Sequence, residues 1–573
     1  MRRALWSRGR GLVAFLMVGV TTGIGAARAQ DEPIVCASAP PPPSGQTCAV
    51  SGAGAAKLIR GDVLAPSGLL KGGQVLVDAT GHIACVGCNC AALAPGATAI
   101  ACPGAVISPG LINAHDHLGY TQNPPHPDSG ERYEHRHDWR RGLRGHTLIP
   151  APGGADPDQV RWGELRFLLT GATSTAGAGG APGLLRNLDD RALLEGLGGR
   201  PARLETFPLD DATGILRVGD CDYGPAPDRA WRAALSHAYV PHVAEGIDDE
   251  AHNEFPCVSD PAFDTDPRPG GPQASNDLIR PRTAVIHGLA LRVADLAAMA
   301  AENADLVWSP RTNLALYGDT APVTVAARAG VNIALGTDWT ISGSMNLLRE
   351  LRCADDYNRL YLDGFFTDRE LWRMATVNAA RALRVDRRIG ALRRGLAADL
   401  AIFDAHGRDG YRAVIEAEPA DVRLVLRGGK VLYGDATLVA ALVAPGACEA
   451  LDVCGSDKAL CELAELGTSL AALAEHNAAS YPAFFCGVPA GEPSCTPARP
   501  ISVGGSTTYD GVAREGDADG DGIADAADNC PRVFNPVRPM DHGLQADADG
   551  DGVGDACDPS PVAGVRRPGA RRR

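Results

Sequence analysis

Two histidines, His115 and His117, stand two residues apart at the end of the apolar run Val106-Ile107-Ser108-Pro109-Gly110-Leu111-Ile112. On an extended strand this spacing sends both imidazoles to the same side. Same-side imidazoles at a strand end can converge on one borderline-soft cation, for which neutral nitrogen is a preferred donor. An HxH pair alone is a weak signal, and the chain holds a second one, His135-Arg-His137, in a charged segment with no strand before it. That pair reads as solvated histidines on a loop. The first pair gains weight from three later apolar runs, which lead to His242 (with Glu245 three residues on), to His287 and to Asp338. Taken singly, each could be a hydrogen-bonded core histidine or a helix cap. Four successive strands ending in such residues point instead to one shared metal centre at the strand C-terminal ends.

A second constellation lies near the C-terminus, where Asp517-Ala-Asp-Gly-Asp-Gly recurs thirty residues later as Asp547-Ala-Asp-Gly-Asp-Gly. In each copy Asp occupies positions 1, 3, 5, 9 and 12 with Gly at 6: Asp517, Asp519, Asp521, Asp525 and Asp528, then Asp547, Asp549, Asp551, Asp555 and Asp558. Hard carboxylate oxygens at this spacing wrap Ca²⁺, and glycine permits the sharp turn. Ile523 or Val553 would add a backbone carbonyl.

The elements that must position the first constellation alternate in type. Between about 108 and 387, strand-like runs such as Ala284-Val-Ile286 and Leu306-Val-Trp308 alternate with helical segments, the pattern of a parallel sheet covered by helices. Over this length a closed (β/α)₈ TIM barrel fits better than an open sheet. Short β runs flank it at 57–107 and 388–445. Residues 446–508 read as a Cys-rich helical extension, 509–560 as the Asp-rich repeats and 561–573 as a basic tail. At the other end, residues 30–56 are a Pro-rich linker that Cys36 and Cys48 could close into a loop. Residues 1–29 carry Arg2, Arg3, Arg8 and Arg10, then an apolar run from Gly11 to about Ile24, then Ala27-Arg28-Ala29, the marks of a cleavable signal peptide. The expected location is therefore exported: periplasmic, cell-surface or extracellular, with no transmembrane segment after cleavage.

With 573 residues and 45% hydrophobic content the chain is long enough for a large catalytic domain and appendages. Sixteen cysteines in an exported chain are expected mostly in disulfides, the cluster Cys85, Cys88, Cys90 included, and Cys221 with Cys257 is a candidate staple. The net charge of −15 argues against nucleic acid as a partner.

The motifs Pro109-Gly-Leu-Ile-Asn-Ala-His-Asp-His117, His242-Val-Ala-Glu245, Ile286-His-Gly288, Ser309-Pro-Arg-Thr-Asn313, Leu335-Gly-Thr-Asp338 and Ile389-Gly-Ala-Leu-Arg-Arg-Gly-Leu-Ala-Ala-Asp-Leu400 resemble the amidohydrolase superfamily, nearest its chlorohydrolase and deaminase branch. The resemblance spans about Lys57 to Asp435. It implies a distorted TIM barrel with a β-sandwich built from the flanking segments. It also implies His115, His117, His242 and Asp338 as ligands of one divalent metal, zinc with iron as the alternative, Glu245 as proton shuttle and His287 near the attacking water. Such a metal lowers the pKa of bound water from nearly 16 toward roughly 7. Asp338 could take that water's proton, Glu245 relay one to the leaving atom and His287 stabilise the oxyanion.

Many members of the superfamily bridge two metals with a carboxylated lysine. No lysine lies between Lys71 and Lys430, which leaves Glu205 as the one attractive bridging candidate and favours a single metal. The expected function is hydrolysis of a C–N bond other than a peptide bond in a small molecule: a deaminase acting on a cyclic amidine or aminated ring compound. A chlorohydrolase or cyclic amide hydrolase is the near alternative. A non-catalytic, calcium-dependent surface binding protein is the distant one. Asp528-Asn-Cys-Pro531 and Gly554-Asp-Ala-Cys-Asp558 resemble thrombospondin type 3 repeats, implying bound Ca, cell-surface association through them, and a Cys530–Cys557 pair. Residues 120–147, with Arg132, Tyr133, Glu134, His135, Trp139 and Arg140, read either as a lid over the pocket for an anionic or aromatic substrate, or as a solvated loop.

Overall fold

A computed structural model describes residues 32–37, 46–266, 274–461 and 463–562. The signal-like segment and nearly all of the basic tail lie outside the described residues. Two parallel sheets form the centre. Leu111–Asn113, Ala172–Thr175 and Arg186–Asn187 make one; Arg203–Glu205, Tyr239–Val243, Ala284–His287, Asp305–Trp308 and Asn332–Leu335 make the other. Beyond the strand ends, main-chain bonds cross from one sheet to the other. Ala114 N–H donates to Leu335 C=O at 3.0 Å and His117 N–H to Asp338 C=O at 2.7 Å, and on the opposite border Ala202 N–H donates to Leu188 C=O at 2.8 Å.

The strands are short and apolar on both faces because each is covered twice. Ala284, Ile286, Val307 and Ala334 enter one core, while the intervening Val285, Leu306, Trp308, Ile333 and Leu335 enter another that faces the helices. Period-two alternation thus separates two apolar layers rather than core from solvent. The connecting helices start where their sequences say they should. Asp156 accepts from the N–H groups of Asp158 and Gln159 ahead of Pro157–Leu168, and Thr367 caps Asp368–Met374 in the same manner.

The flanking β segments, expected to form a sandwich, do join in one unit: their hydrogen bonding runs through a single eleven-stranded sheet, because Leu400–Asp404, after the helical region, pairs directly with Thr98–Pro109, before it. Alternate residues again part company: Ile59, Ile107, Ile402 and Leu424 collect in the sheet's own core, and Val106, Phe403 and Val425 pack on the central body.

Two expectations differ. The Pro-rich linker adds Ile34–Val35 and Ala49–Ser51 to this sheet, so Cys36 bonds Cys88 and Cys48 bonds Cys102, not each other. The cysteine-rich extension carries its expected helical stretch as Leu463–Leu466 and Leu470–His476, but begins as the unexpected hairpin Glu449–Val453 and Ser456–Leu460. The buried Lys458 ammonium holds that hairpin by donating to Ala420 C=O, Val422 C=O and the Asp435 carboxylate at 3.0, 2.8 and 2.6 Å. All sixteen cysteines are paired, including Cys85–Cys90, Cys221–Cys257 and Cys530–Cys557. Among the described residues no helix is long and apolar enough to cross a membrane.

The acidic repeats fold back onto the central body. Phe534 N–H donates to Tyr361 C=O at 2.9 Å, Tyr361 OH to Gly511 C=O at 3.0 Å and Thr324 OH to Ala556 C=O at 2.7 Å. The approach to these repeats begins at Arg499, which is buried against Tyr133, Glu134 and Tyr317.

Candidate metal centre and its cavity

Strand ends bring the six expected side chains together. The imidazole centroids of His115 and His117 are 4.7 Å apart, those of His115 and His242 also 4.7 Å, and those of His242 and His287 5.2 Å. Asp338 Oδ1 lies 3.3 Å from His115 Nε2 and 3.4 Å from His117 Nε2. Donor atoms of His115, His117 and Asp338, and likewise of His115, His242 and His287, all fall within 4.8 Å of one another. His115 is completely buried, yet among the described residues neither of its ring nitrogens has a hydrogen-bond partner. A buried polar atom left unpaired costs about 1–3 kcal/mol, so this donor set fits a cation. Gly336 makes the approach possible, since a Cβ there would sit 2.8 Å from His115 Cβ.

Backbone strain marks the same place. His287, the last residue of its strand, and Asp338, three residues beyond Asn332–Leu335, have φ of 68° and 63°, in the left-handed region that non-glycine residues seldom occupy. Such strain persists where surrounding structure enforces it. Here the enforcing element is the helix Pro310–Tyr317. Thr312 OH donates to Asp338 Oδ2 at 2.9 Å, Asn313 Oδ1 accepts from His287 Nδ1 at 3.1 Å, and Tyr317 OH donates to Glu245 Oε1 at 2.8 Å. One helix therefore orients three members of the cluster. Sequence reading singled out the segment holding Thr312 and Asn313 only through its resemblance, and Tyr317 not at all.

Electrostatics favour the ligand forms. Burial lowers the pKa of His115 and His242 and brings that of His117 down to about 3, so these rings are neutral with a lone pair to offer. His242 Nδ1 must be a donor, since it faces the Glu205 carbonyl at 3.2 Å, which leaves Nε2 as its acceptor nitrogen. Burial alone would raise Asp338, but its contact with His115 and the neighbouring imidazoles outweigh that and hold the carboxylate below its ordinary range. Next to it Asp116 is pushed up to about 7 by burial while accepting from Thr337 OH at 2.5 Å. The Glu205 carboxylate turns away to Arg203 at 2.8 Å, so the bridging candidate does not join the cluster.

A cavity of about 540 Å³ opens over these residues, walled by Tyr120, Trp139, Trp339 and Phe207 together with Arg136, Arg140, Ile149 and Thr206. Residues 120–147 thus supply much of its wall, and the reading of a solvated loop is corrected. His135 and His137 are buried at the start of helix Arg136–Arg141. They are held by a network that the local sequence conceals: His137 Nε2 to Asp211 at 2.9 Å, Arg136 to Asp211 at 2.5 Å and to Glu254 at 3.1 Å.

The first acidic repeat is also a built cage. Asp517 accepts from the N–H groups of Gly520 and Gly522 at 2.8 and 3.2 Å, and Asp519, Asp521 and Asp528 are buried. Asp519 Oδ2 and Asp528 Oδ2 have no hydrogen-bond partner among the described residues. Burial and mutual repulsion push Asp519 up to about 7 and Asp521 to about 8, the situation a divalent cation relieves. In the second repeat Asp547, Asp549 and Asp551 group in the same way, more exposed.

Residues 241–432 match the amidohydrolase family and residues 511–538 the thrombospondin type 3 repeat. The HxH strand lies outside the first match. A 5-methylthioadenosine/S-adenosylhomocysteine deaminase from Syntrophobacter fumaroxidans is 28% identical over 374 residues, 59% of this chain and 82% of that protein. A protein of the same description from Teredinibacter turnerae is 32% identical over 139 residues, which span 24% of this chain and only 31% of the relative. Among solved structures, an adenosine deaminase from Xanthomonas campestris with bound zinc aligns with 74% of this chain and 97% of its own at 19% identity and a TM-score of 0.47.

Proposed function

We propose, from the premise that this chain carries an amidohydrolase-family domain, that its cavity hydrolyses a C–N bond in a small aminated ring compound with the help of one divalent metal, zinc. The observation that carries the reading is the convergence of four imidazoles and Asp338 around a point where His115 has two buried, unpartnered nitrogens. We read the eight parallel strands as one ring, a TIM-type barrel, because main-chain bonds continue from Asn332–Leu335 to the segment after Leu111–Asn113. The metal centre then lies at its C-terminal mouth. The relatives' names supply the direction of the substrate proposal: a nucleoside-like purine bearing an exocyclic amine.

His115, His117, His242 and Asp338 would hold the metal. When bound, it supplies Lewis acidity and lowers the pKa of an attacking water toward roughly 7. Asp338 receives the water's proton at Oδ1, since Oδ2 is engaged by Thr312. Glu245 has Oε1 fixed by Tyr317 and Oε2 3.7 Å from His287 Nε2, so Oε2 is the oxygen free to carry a proton to the departing nitrogen. His287, whose Nδ1–H is occupied by Asn313, would donate from Nε2 to the oxyanion in its doubly protonated form. Tyr317→Phe removes the hydroxyl that fixes Glu245 and is expected to cut kcat about tenfold, the worth of one positioning hydrogen bond to a charged group. An unchanged kcat in steady-state assays would remove Tyr317 from this scheme. The proposal itself is tested by measuring ammonia release from a panel of aminated purines and pyrimidines by the zinc-loaded protein. Silence across the panel at full metal occupancy defeats it.

For the C-terminal repeats we infer calcium binding by Asp517 to Asp528 and Asp547 to Asp558. Calcium at about a hundred times its dissociation constant should stabilise the fold by about 2.7 kcal/mol per site, seen as a rise in melting temperature that chelation reverses. Asp519→Asn should blunt that rise, and a melting temperature indifferent to calcium would contradict the assignment. Eight disulfides fit an exported protein, and the repeats offer a route to cell-surface attachment.

A further inference from the structure

The helix Arg136–Arg141 and its flanks carry a series of arginines whose charges are matched with two exceptions, Arg140 and the exposed Arg141, which donates to Ala212 C=O at 2.7 Å. Arg132 pairs with Asp128, Arg136 with Asp211 and Glu254, and Arg144 with Asp138 and Asp248. Arg140 faces the cavity with neutral partners: it donates to His137 Nδ1 at 2.8 Å, and its guanidinium carbon lies 4.4 Å from the centre of the Phe207 ring. Among the described residues no carboxylate comes within ion-pairing distance of it. Burial and the nearby Arg136 charge lower its pKa, and the more distant carboxylates of Glu245 and Asp211 only partly offset them. Stacking on Phe207 and the bond to His137 fix the guanidinium plane, so its remaining N–H groups are oriented before anything binds.

The other wall of the same cavity is aromatic. Trp339 lies 5.6 Å from Tyr120 and 5.3 Å from Trp139, centroid to centroid. The cavity thus combines a face suited to a planar ring, the metal-ligand cluster and a preorganised, unpaired guanidinium. We infer that Arg140 is a specificity determinant that binds an anionic oxygen group, carboxylate or phosphate, on a ring-bearing substrate. The inference rests on the reading of this cavity as the substrate site and deepens it by assigning the substrate a negative charge. Arg136 cannot take this part, because Asp211 and Glu254 already occupy it.

Binding of three probes to the zinc-loaded full chain tests the role without needing turnover: benzoate, phenyl phosphate and the neutral benzamide, followed by calorimetry. At least one anion is expected to bind about tenfold or more tightly than benzamide, the better of the two identifying the group recognised. Arg140→Gln should erase that preference. Arg140→Lys, which keeps the charge and loses the fork, should retain part of it. Near-ultraviolet circular dichroism of both variants checks that the wall is intact. Equal binding of all three probes, no binding of either anion at millimolar concentration, or a preference that survives Arg140→Gln each overturns the inference. Anion preference without ammonia release would defeat the hydrolase reading while leaving Arg140 in place, and release without anion preference would do the reverse.

Discussion

Replacing Asp338 with Asn is expected to lower kcat/KM by at least about a thousandfold, the combined loss of a metal ligand and a proton acceptor. Asparagine is the informative substitution because the residue holds a φ of 63°, which Asn adopts more readily than Ala. Its amide oxygen can still accept from Thr312, so the local fold should survive. What disappears is the negative charge facing His115 and His117. Metal content by elemental analysis, melting temperature and steady-state kinetics together separate the possibilities. Activity within tenfold of the parent, at equal metal content, would remove Asp338 from the chemistry.

Arg499→Ala should cost about 3–5 kcal/mol of folding free energy, the usual penalty for stranding one partner of a buried ion pair. The Arg499 guanidinium donates to Tyr133 C=O at 3.1 Å and Tyr317 C=O at 2.9 Å and forms an ion pair with Glu134. Both carbonyls and the carboxylate are buried, so water cannot fully replace the donor. Denaturant titration gives the measurement. Arg499→Lys should fall between the two, because one ammonium cannot reach three acceptors in a fixed fork. A cost below about 1 kcal/mol for Arg499→Ala would mean that the contact is merely superficial.

Much of the site was legible because a strand of four or five residues betrays itself by an apolar run and a polar stop. His115, His242, His287 and Asp338 all carry that signature, and the structure gathers them. The parts that escaped depend on partners remote in sequence. His135 and His137 looked solvated since their charged neighbours suggested a loop, yet both are buried, His137 against Asp211, some seventy residues on, and His135 against Glu254. The Cys36–Cys88 bond was hidden because the short pairing of Ile34–Val35 with Gly68–Val77 decides which thiols meet. Tyr317 gave no local signal: a tyrosine at a helix C-terminus announces neither burial nor a bond to Glu245 until the helix is placed. The hairpin at Glu449–Leu460 was missed because its exposed edge strand lacks the apolar character that marks central ones.

The Cys353–Cys495 bond joins a helix of the central body to the segment just ahead of Arg499, across 142 residues. A linkage of that span can close only after Cys495 has been synthesised, and only where thiols are oxidised. Production in a reducing bacterial interior would therefore leave the catalytic wall unlatched however well the remainder folds. Thiol titration of each preparation should precede any comparison of turnover.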